Sequence, residues 1–511
     1  MPTAASWTEL LRGQRRAVAD VGHLLAFRAA TVRRRSVTVG LVATFLGLTA
    51  GAAVLPAFAT GAGSAEGYAL DALLLLPSAL TGFLVLAIVS AVASGGGREL
   101  LAREHAVAYP VSPTTDHLGA LLLAPLNIAW LLQGWLLLGA TAYAVEGRHL
   151  AAVQLGVLLW LAAATAVAQV VAWAIEAVRR TRHGIATVRT LGVLVAAVLV
   201  HLQLTGRTGA VLDALPTRRV VVGLQDGFGA AWLATVGLML WVLLVALVLG
   251  AVPAHLAARR TPRDELRVES GTHPARALPS SVFAGLVRTD RGSVWRAVPM
   301  RRGMLVLAIG PGVVALAGDL SWSQMTILPG LVASGGALLF GINAWCLDER
   351  GGLWRESLPV PPGQVFAART WVLTEFLLVA SALTLVLAGL RAGVPSAPEL
   401  TALLCTWVVV VLQVVSAAMR WSSRRPFSVD LRSARATPAP PAAMVGYSTK
   451  LAVATTLTSL VFSGLARLPS WELSIVLAAP FVLWSAVRLL HARDAWLEPV
   501  GRARVVTTVA A

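Results

Sequence analysis

Long apolar runs separated by short polar segments are the dominant pattern along this chain. Twelve runs are long enough to cross a hydrocarbon core about 30 Å thick, which takes about 20 helical residues. They cover 37–60, 68–94, 118–144, 149–178, 186–205 and 229–257, then 301–318, 325–347, 367–391, 397–420, 445–467 and 471–491. The runs are apolar throughout instead of alternating, which favours helices over barrel strands. The pattern therefore predicts an all-α polytopic membrane protein with twelve transmembrane helices.

The polar segments predict how these helices are grouped. Segments 8–32 and 281–299 mix apolar and charged residues at helical spacing, which is typical of amphipathic helices lying along a membrane face. A solvated, arginine-rich tail is the alternative for both. The predicted parts are a cytoplasmic interface helix (1–36), a first six-helix half (37–257), a linker with a second interface helix (258–300), a second six-helix half (301–491) and a cytoplasmic tail (492–511).

Composition agrees with a membrane protein. The chain is 57% hydrophobic and 13% charged, and a soluble domain of 511 residues does not need that much apolar surface. The net charge of +17 raises the question of nucleic-acid binding. However, the basic residues lie in short loops between the predicted spans, where they act as topology signals, so no nucleic-acid partner is expected.

The distribution of basic residues predicts the orientation of the chain. With both termini in the cytoplasm, 36 of the 42 Lys and Arg residues fall on the inner side. The other six lie in the outer loops. Positively charged residues are enriched in cytoplasmic loops, so this bias favours an even number of spans with both ends inside.

One short motif occurs in both halves, in the loop that follows the second predicted span. In the first half, the loop contains Glu99, Arg103 and Glu104 and ends in Pro110-Val111-Ser112-Pro113. The second half contains Glu349-Arg350-Gly351 and ends in Pro359-Val360-Pro361-Pro362, 249 residues further on. A repeat of this length, with the same hydropathy on either side, indicates two copies of one membrane unit.

The sequence carries no recognisable catalytic or metal-binding motif. The only lysine is Lys450, and it follows Thr449, so the Gly-Lys-[Ser/Thr] of a phosphate-binding loop is missing. No zinc helix of the His-Glu-x-x-His type and no Gly-x-Ser-x-Gly elbow is present. Cys346 and Cys405 indicate neither a disulfide framework nor a metal site. We therefore expect the chain not to be an enzyme and to bind no cofactor or metal itself.

Two classes of twelve-helix transporter compete for this organisation. Major-facilitator carriers also have six plus six helices and a long central cytoplasmic loop. Their signature, Gly-x-x-x-Asp-Arg-x-Gly-Arg between the second and third helices, is missing, and Asp348-Glu349-Arg350-Gly351-Gly352 matches it only in part. That class explains the helix count but not the loops.

The loops resemble those of type-2 ABC exporter permeases, in particular the fused two-half form of actinobacterial drug and antibiotic export systems. In that family, an interface helix opens each half. An acidic residue in the loop after the second helix precedes Pro-[Val/Leu/Ile]-Ser by about ten residues. Glu99 to Pro110 and Glu349 to Pro359 match this spacing, while Pro361 replaces the usual Ser and lacks its capping hydroxyl.

This resemblance implies a permease subunit that exports a hydrophobic or amphipathic compound, such as a drug, an antibiotic or a lipid-like molecule. It also implies a multi-pass location in the bacterial cytoplasmic (inner) membrane. The two motif loops would couple to a separate ATP-binding cassette subunit, two copies per chain, which holds ATP and Mg. A re-entry turn is the alternative for the loops, and a non-transporting membrane sensor subunit is an alternative for the chain.

Polar residues within the predicted spans are candidates for a substrate path, because they are costly in hydrocarbon. They are Asn127, Gln133, Gln169, Glu375 and Gln413. Glu375 is the most informative, since it is acidic and lies about eight residues into the ninth span. It either lines the path or pairs with a polar group of a neighbouring helix.

The predicted orientation is testable by cysteine labelling of intact cells. After Cys346 and Cys405 are replaced, single cysteines at Gly63 and Ser321 should react with an impermeant thiol reagent, because both positions fall in predicted outer loops. Single cysteines at Ser112 and Thr272 should react only after the membrane is opened. The opposite labelling pattern would reverse the orientation.

Overall fold

Helices account for all the regular secondary structure among the residues that the structure describes. The computed structural model describes residues 7–30, 35–93, 111–126, 128–260, 277, 279–318, 320–428 and 438–510. Within it, the chain forms two compact units, Met1–Gly271 and Thr272–Ala511.

The first unit contains eleven described α-helices. They are α1 (Trp7–Ala30), α2 (Arg35–Val54), α3 (Gly67–Ala93), α4 (Pro113–Leu123), α5 (Ile128–Ala144), α6 (Leu150–Arg179), α7 (Gly184–Leu204), α8 (Thr208–Ala214), α9 (Thr217–Leu224), α10 (Ala230–Leu249) and α11 (Ala251–Ala258). Helix α6 packs against α3 and α10, and α5 packs against α2 and α3. Leu80, Leu138 and Val157 lie in the core that these helices share.

The second unit contains ten described α-helices. They are α12 (Val282–Arg296), α13 (Val298–Ala317), α14 (Trp322–Met325), α15 (Leu328–Leu339), α16 (Gly351–Glu356), α17 (Pro362–Gly389), α18 (Ala397–Arg424), α19 (Pro441–Leu465), α20 (Glu472–Leu497) and α21 (Pro499–Ala510). Helix α18 packs against α19 and α20, and α17 packs against α12, α13 and α15. Phe340, Leu377 and Val411 lie in its main core.

The protein is an α-helical, multi-pass membrane protein. Seven helical segments of the described chain are long and apolar enough to cross a membrane. They are Gly67–Val92, Gly147–Arg179, Gly184–Leu204, Ala230–Ala258, Pro362–Gly389, Ala397–Arg424 and Glu472–Leu497. Two shorter apolar helices cover Val42–Phe58 and Gly303–Leu316. Many large apolar side chains on these helices are exposed, which suits a surface that lipid covers.

In two of the predicted spans, the interruption of the α-helix has a clear local cause. The span predicted at 118–144 changes to a short 3₁₀ helix at Ala124–Leu126, where Pro125 lacks the N–H that an α-helix needs. The span predicted at 325–347 ends its α-helix at Leu339. There, the Ser422 hydroxyl bonds the Gly341 carbonyl at 3.0 Å and the Ala344 N–H at 2.8 Å, which satisfies backbone groups outside the helix.

A close helix contact in the second unit gives a test of the packing. A Cβ at Gly312 of α13 would lie 2.8 Å from both the Thr384 carbonyl oxygen and the Leu387 Cβ on α17. We expect Gly312→Ala to destabilise the protein by about 1–3 kcal/mol, because the backbone must move to admit the methyl group. The thermal unfolding of the protein in detergent measures this effect.

Gly446 of α19 provides the matched control, since a Cβ there meets nothing within 4 Å. Gly446→Ala should leave the stability unchanged or raise it by about 1 kcal/mol, because alanine is the better helix former. Equal effects of the two substitutions would contradict the described packing of α13 on α17.

Candidate functional site

The loop that joins α15 to α17 in the second unit contains the second copy of the repeated motif. We call residues 348–361 the motif loop. Glu349 adopts a positive φ of 42°, which reverses the chain before α16. This conformation costs about 1–2 kcal/mol for a residue with a side chain, so surrounding contacts must hold it. Pro361 is extended and Pro362 occupies the first turn of α17, where its missing N–H costs nothing.

A buried arginine fixes both the motif loop and the amphipathic helix α12. Arg369 lies two turns into α17 and is 1% exposed. Its Nε and Nη2 atoms donate to the two carboxylate oxygens of Asp290 on α12, at 2.8 and 2.9 Å. Nη2 also contacts Asp348 Oδ1 at 2.6 Å, and Nη1 donates to the Ala344 carbonyl. One guanidinium thus joins three segments of the chain.

Charge balance explains why these groups tolerate burial. Two carboxylates face Arg369, and Arg355 of α16 lies 2.9 Å from the other oxygen of Asp348. Burial alone raises the pKa of Asp348, but the two guanidinium groups outweigh it and hold this pKa below its ordinary value. A lowered pKa means that the ionised form stabilises the fold at neutral pH, and that this contribution is lost as the pH falls through the lowered value.

Two stacked tryptophans pack beside the buried ion pairs of Arg369. The rings of Trp345 and Trp496 are parallel within 7°, with centroids 3.7 Å apart. The guanidinium of Arg369 lies over the Trp345 ring, 5.3 Å from its centroid, which is a cation–π geometry. Trp496 Nε1 donates to the carbonyl of Pro362 at 3.1 Å, which fixes the start of α17 to α20.

The C-terminal helix also contacts the motif loop. Arg502 of α21 lies 2.9 Å from Glu356 at the end of α16. A Cβ at the buried Gly352 would lie 3.5 Å from Val506, so the two helices are in close contact. The inner face of α16 is therefore supported by α21.

The outer face of the motif loop is apolar and exposed. Trp354 is 77% exposed, and Leu353 and Leu358 are also exposed. Arg350, which precedes Leu353, and Glu356, which lies between Trp354 and Leu358 in the chain, are exposed too. A buried arginine cluster on one side and an exposed tryptophan on the other make the loop a stiff surface suited to binding a partner.

The first copy of the motif is described only at its end. Glu99, Arg103, Glu104 and Pro110 lie outside the described residues. Val111 precedes Ser112, whose hydroxyl accepts from the Thr115 N–H at 3.0 Å and caps α4, with Pro113 in the first turn. In the second copy, Pro361 makes no such side-chain bond. This difference is the one that the sequence predicts from the replacement of Ser by Pro.

The second copy is described throughout. Glu349 and Arg350 precede α16, which begins at Gly351, and Pro359, Val360 and Pro361 lead into α17, which begins at Pro362.

The residues predicted to line a substrate path are divided between the two units, and one of them is not described. Asn127 lies outside the described residues. Gln133 is on α5 and Gln169 is buried on α6, both in the first unit. In the second unit, Glu375 binds Arg291 of α12 at 2.7 Å, whereas Gln413 bonds Thr458 of α19 at 3.1 Å and faces a cavity.

Sequence reasoning did not identify Arg369, Asp290 or Trp354. Arg369 carries a signal that was available, because it falls within the span predicted at 367–391 and a charge inside a span is expensive. The separation of 79 residues between Arg369 and Asp290 leaves no local pattern that would pair them.

Comparison of the chain with protein-family models, with curated proteins and with solved structures found no match. Among the described residues, no group of three or more His, Cys, Asp or Glu side chains is placed to hold a metal ion. The geometry of the motif loop and the resemblance of its sequence are therefore the features that bear on function.

The buried cluster should contribute far more stability than the neighbouring exposed pair. Asp290→Asn removes one carboxylate charge facing the buried Arg369, and breaking a buried pair costs about 3–5 kcal/mol. Glu375→Gln makes the same change in the partly exposed pair with Arg291, where the expected cost is about 0–1 kcal/mol. Chemical or thermal unfolding of both variants in detergent measures the difference. Similar stabilities for the two variants would show that Arg369 does not depend on Asp290.

Proposed function

We propose that this chain is the transmembrane permease subunit of an ATP-dependent ABC exporter. It would move a hydrophobic or amphipathic compound out of a bacterial cell across the cytoplasmic membrane. A separate cassette subunit, two copies per chain, would bind ATP and Mg. The observation that carries the proposal is the motif loop, which is fixed on one side by Arg369 and exposes Trp354 on the other.

The geometry of the loop suits the transfer of force from a partner. A permease without its own ATPase must receive mechanical work through a surface that the partner holds. Arg369 connects that surface to α17, which spans the membrane, and to α12, which lies beside it. A displacement of the loop would therefore move both helices together, because the buried ion pairs are costly to break.

The proposed topology has twelve spans in two six-helix repeats, with both termini in the cytoplasm. Helix α19, of 25 residues, and helices α2 and α13, of 20 residues each, supply lengths that suit further spans beyond the seven described above. In this topology both copies of the motif face the cytoplasm, where the cassette subunits would bind.

The exposed tryptophan offers a sharper test of partner binding than the acidic residue of the motif. Glu349 is half-buried and has a positive φ, so a substitution there also changes the fold of the loop. Trp354→Ala removes only exposed surface. We expect it to weaken cassette binding by about 2 kcal/mol or more, roughly thirtyfold in affinity, since buried tryptophans dominate many interfaces. Co-purification with the cassette subunit and ATP-driven export measure this loss.

Trp371→Ala is the matched control, because Trp371 is 56% exposed but lies within α17 beyond the motif loop. It should leave cassette binding unchanged.

The purified chain alone should hydrolyse no ATP and should gain activity only with the cassette subunit. If the Trp354→Ala variant bound the cassette subunit as fully as the wild type, the motif loop would not be part of the interface. Proton-driven transport without nucleotide would favour a major-facilitator-type carrier, and nucleotide-dependent coupling without transport would favour a sensor.

A further inference from the structure

Three helices of the second unit enclose a cavity that the proposed coupling does not use. It lies between α18, α19 and α20 and has a volume of about 650 Å³. That volume falls within the range of about 300–1,000 Å³ that is typical of small-molecule sites. Its walls come from one face of each helix, since the lining residues recur every three or four positions, as in Phe481, Trp484 and Arg488.

One end of the cavity is strongly cationic. Five basic side chains line it: Arg420, Arg424, Arg425, Lys450 and Arg488. No acidic residue is among the described residues that line it. Arg420 and Arg488, on different helices, are both half-buried and close enough to repel each other. Cations brought together without a described counter-ion favour the binding of an anion.

Three residues that line the cavity carry a buried hydrogen-bond donor with no described partner. The Tyr447 side chain is 2% exposed, and its hydroxyl has no partner among the described residues. The same holds for Trp421 Nε1 and Arg488 Nε, which are buried atoms of two other lining residues. Buried polar groups are normally paired, so three unpaired groups around one cavity indicate a ligand rich in acceptors.

Aromatic rings hold the cationic end in place. The guanidinium of Arg425 and the ammonium of Lys450 lie 4.9 and 5.6 Å from the centroid of the Trp421 ring. The rings of Trp421 and Tyr447 lie 5.2 Å apart. These contacts organise the cations, which have no acidic partner among the described lining residues.

The other end of the cavity has no charged residue among its described lining and opens sideways. Gln413, Thr458 and Phe481 lie there, each seven or eight residues along its helix from a basic residue of the cationic end. At 1.5 Å per residue, the two ends are about 10–12 Å apart. Leu457 and Trp484 also line the cavity and are 60% and 63% exposed, so the cavity opens onto a surface that lipid covers in a membrane.

We propose that this cavity binds an anionic phospholipid, with its phosphate at the cationic end and its acyl chain leaving past Leu457 and Trp484. The phosphate supplies the acceptors that Tyr447, Trp421 and Arg488 lack, and its charge offsets the repulsion between Arg420 and Arg488. Basic pockets between transmembrane helices are a known form of lipid headgroup site. The inference goes beyond the proposed export function, because it holds for a transporter and for a sensor alike.

The test measures lipid binding by the full chain in nanodiscs of phosphatidylcholine with a minority of phosphatidylglycerol. Native mass spectrometry after release should show selective retention of phosphatidylglycerol. In Arg420→Gln combined with Arg488→Gln, retention should fall by about thirtyfold, since each basic residue near an anionic lipid contributes about a fivefold factor. Arg488→Lys keeps the charge and should retain most of the selectivity. Arg493→Gln, which removes a cation of α20 outside the cavity, should behave as the wild type.

Tyr447→Phe distinguishes ligand binding from a purely structural role. Removing an unpaired hydroxyl should leave thermal stability unchanged or raised in phosphatidylcholine alone, and should reduce the stabilisation that phosphatidylglycerol gives. Equal retention of the two lipids by the wild type, or wild-type selectivity of the double glutamine variant, would overturn the proposal. Equal stabilisation by inorganic phosphate in phosphatidylcholine would also overturn it, because the ligand would then be a soluble anion.

Discussion

The buried guanidinium of Arg369 is the constraint on which the second unit depends. Taking a charge out of water costs several kcal/mol, and only close carboxylates and further hydrogen bonds offset that cost. Asp290 and Asp348 provide the carboxylates, and the Ala344 carbonyl takes one of the remaining donors. Because each partner lies on a different segment, the position of Arg369 determines where α12, Ala344 and the motif loop lie relative to α17.

The described part of the first unit joins its amphipathic helix to the membrane helices without a buried arginine. Its amphipathic helix α1 contacts α4, and the Thr115 hydroxyl lies 3.4 Å from a carboxylate oxygen of Asp20. When the Pro-Val-x-Pro clusters are aligned, Ala120 stands where the second unit has Arg369. A cavity of about 430 Å³ in this unit, near Val21 and Leu161, has no charged residue among its described lining. The polar contacts of the amphipathic helix and the lining of the cavity therefore differ between the two units. The order of amphipathic and membrane helices along the chain is nevertheless similar.

Local pattern was sufficient to predict most of the helices. The amphipathic segments predicted at 8–32 and 281–299 form helices at Trp7–Ala30 and Val282–Arg296, since their apolar spacing is a property of consecutive residues. The all-α membrane character is confirmed for the same reason. The orientation, the twelve spans and the coupling role of the loops stay predictions.

The two polar sites could not be predicted, because their residues come together only through packing. Arg369, Arg420, Lys450 and Arg488 all fall within predicted spans, but they lie near span ends, where basic residues also act as topology signals. Charge bias is a sum over loops and carries no information about which side chains meet. The convergence of Arg420, Lys450 and Arg488 requires the packing of three helices, and that of Arg369 with Asp290 requires a contact across 79 residues.

The cavity and the motif loop are joined by a short path of hydrogen bonds. Ser422 follows Trp421, which lines the cavity, and its hydroxyl bonds the Gly341 carbonyl and the Ala344 N–H. The carbonyl of Ala344 in turn accepts from Arg369. The end of α18 therefore cannot move away from the motif loop without breaking buried hydrogen bonds. A ligand in the cavity can shift the end of α18 only if it binds the shifted and unshifted conformations with different affinities. Binding with equal affinity would leave the equilibrium between the two conformations unchanged.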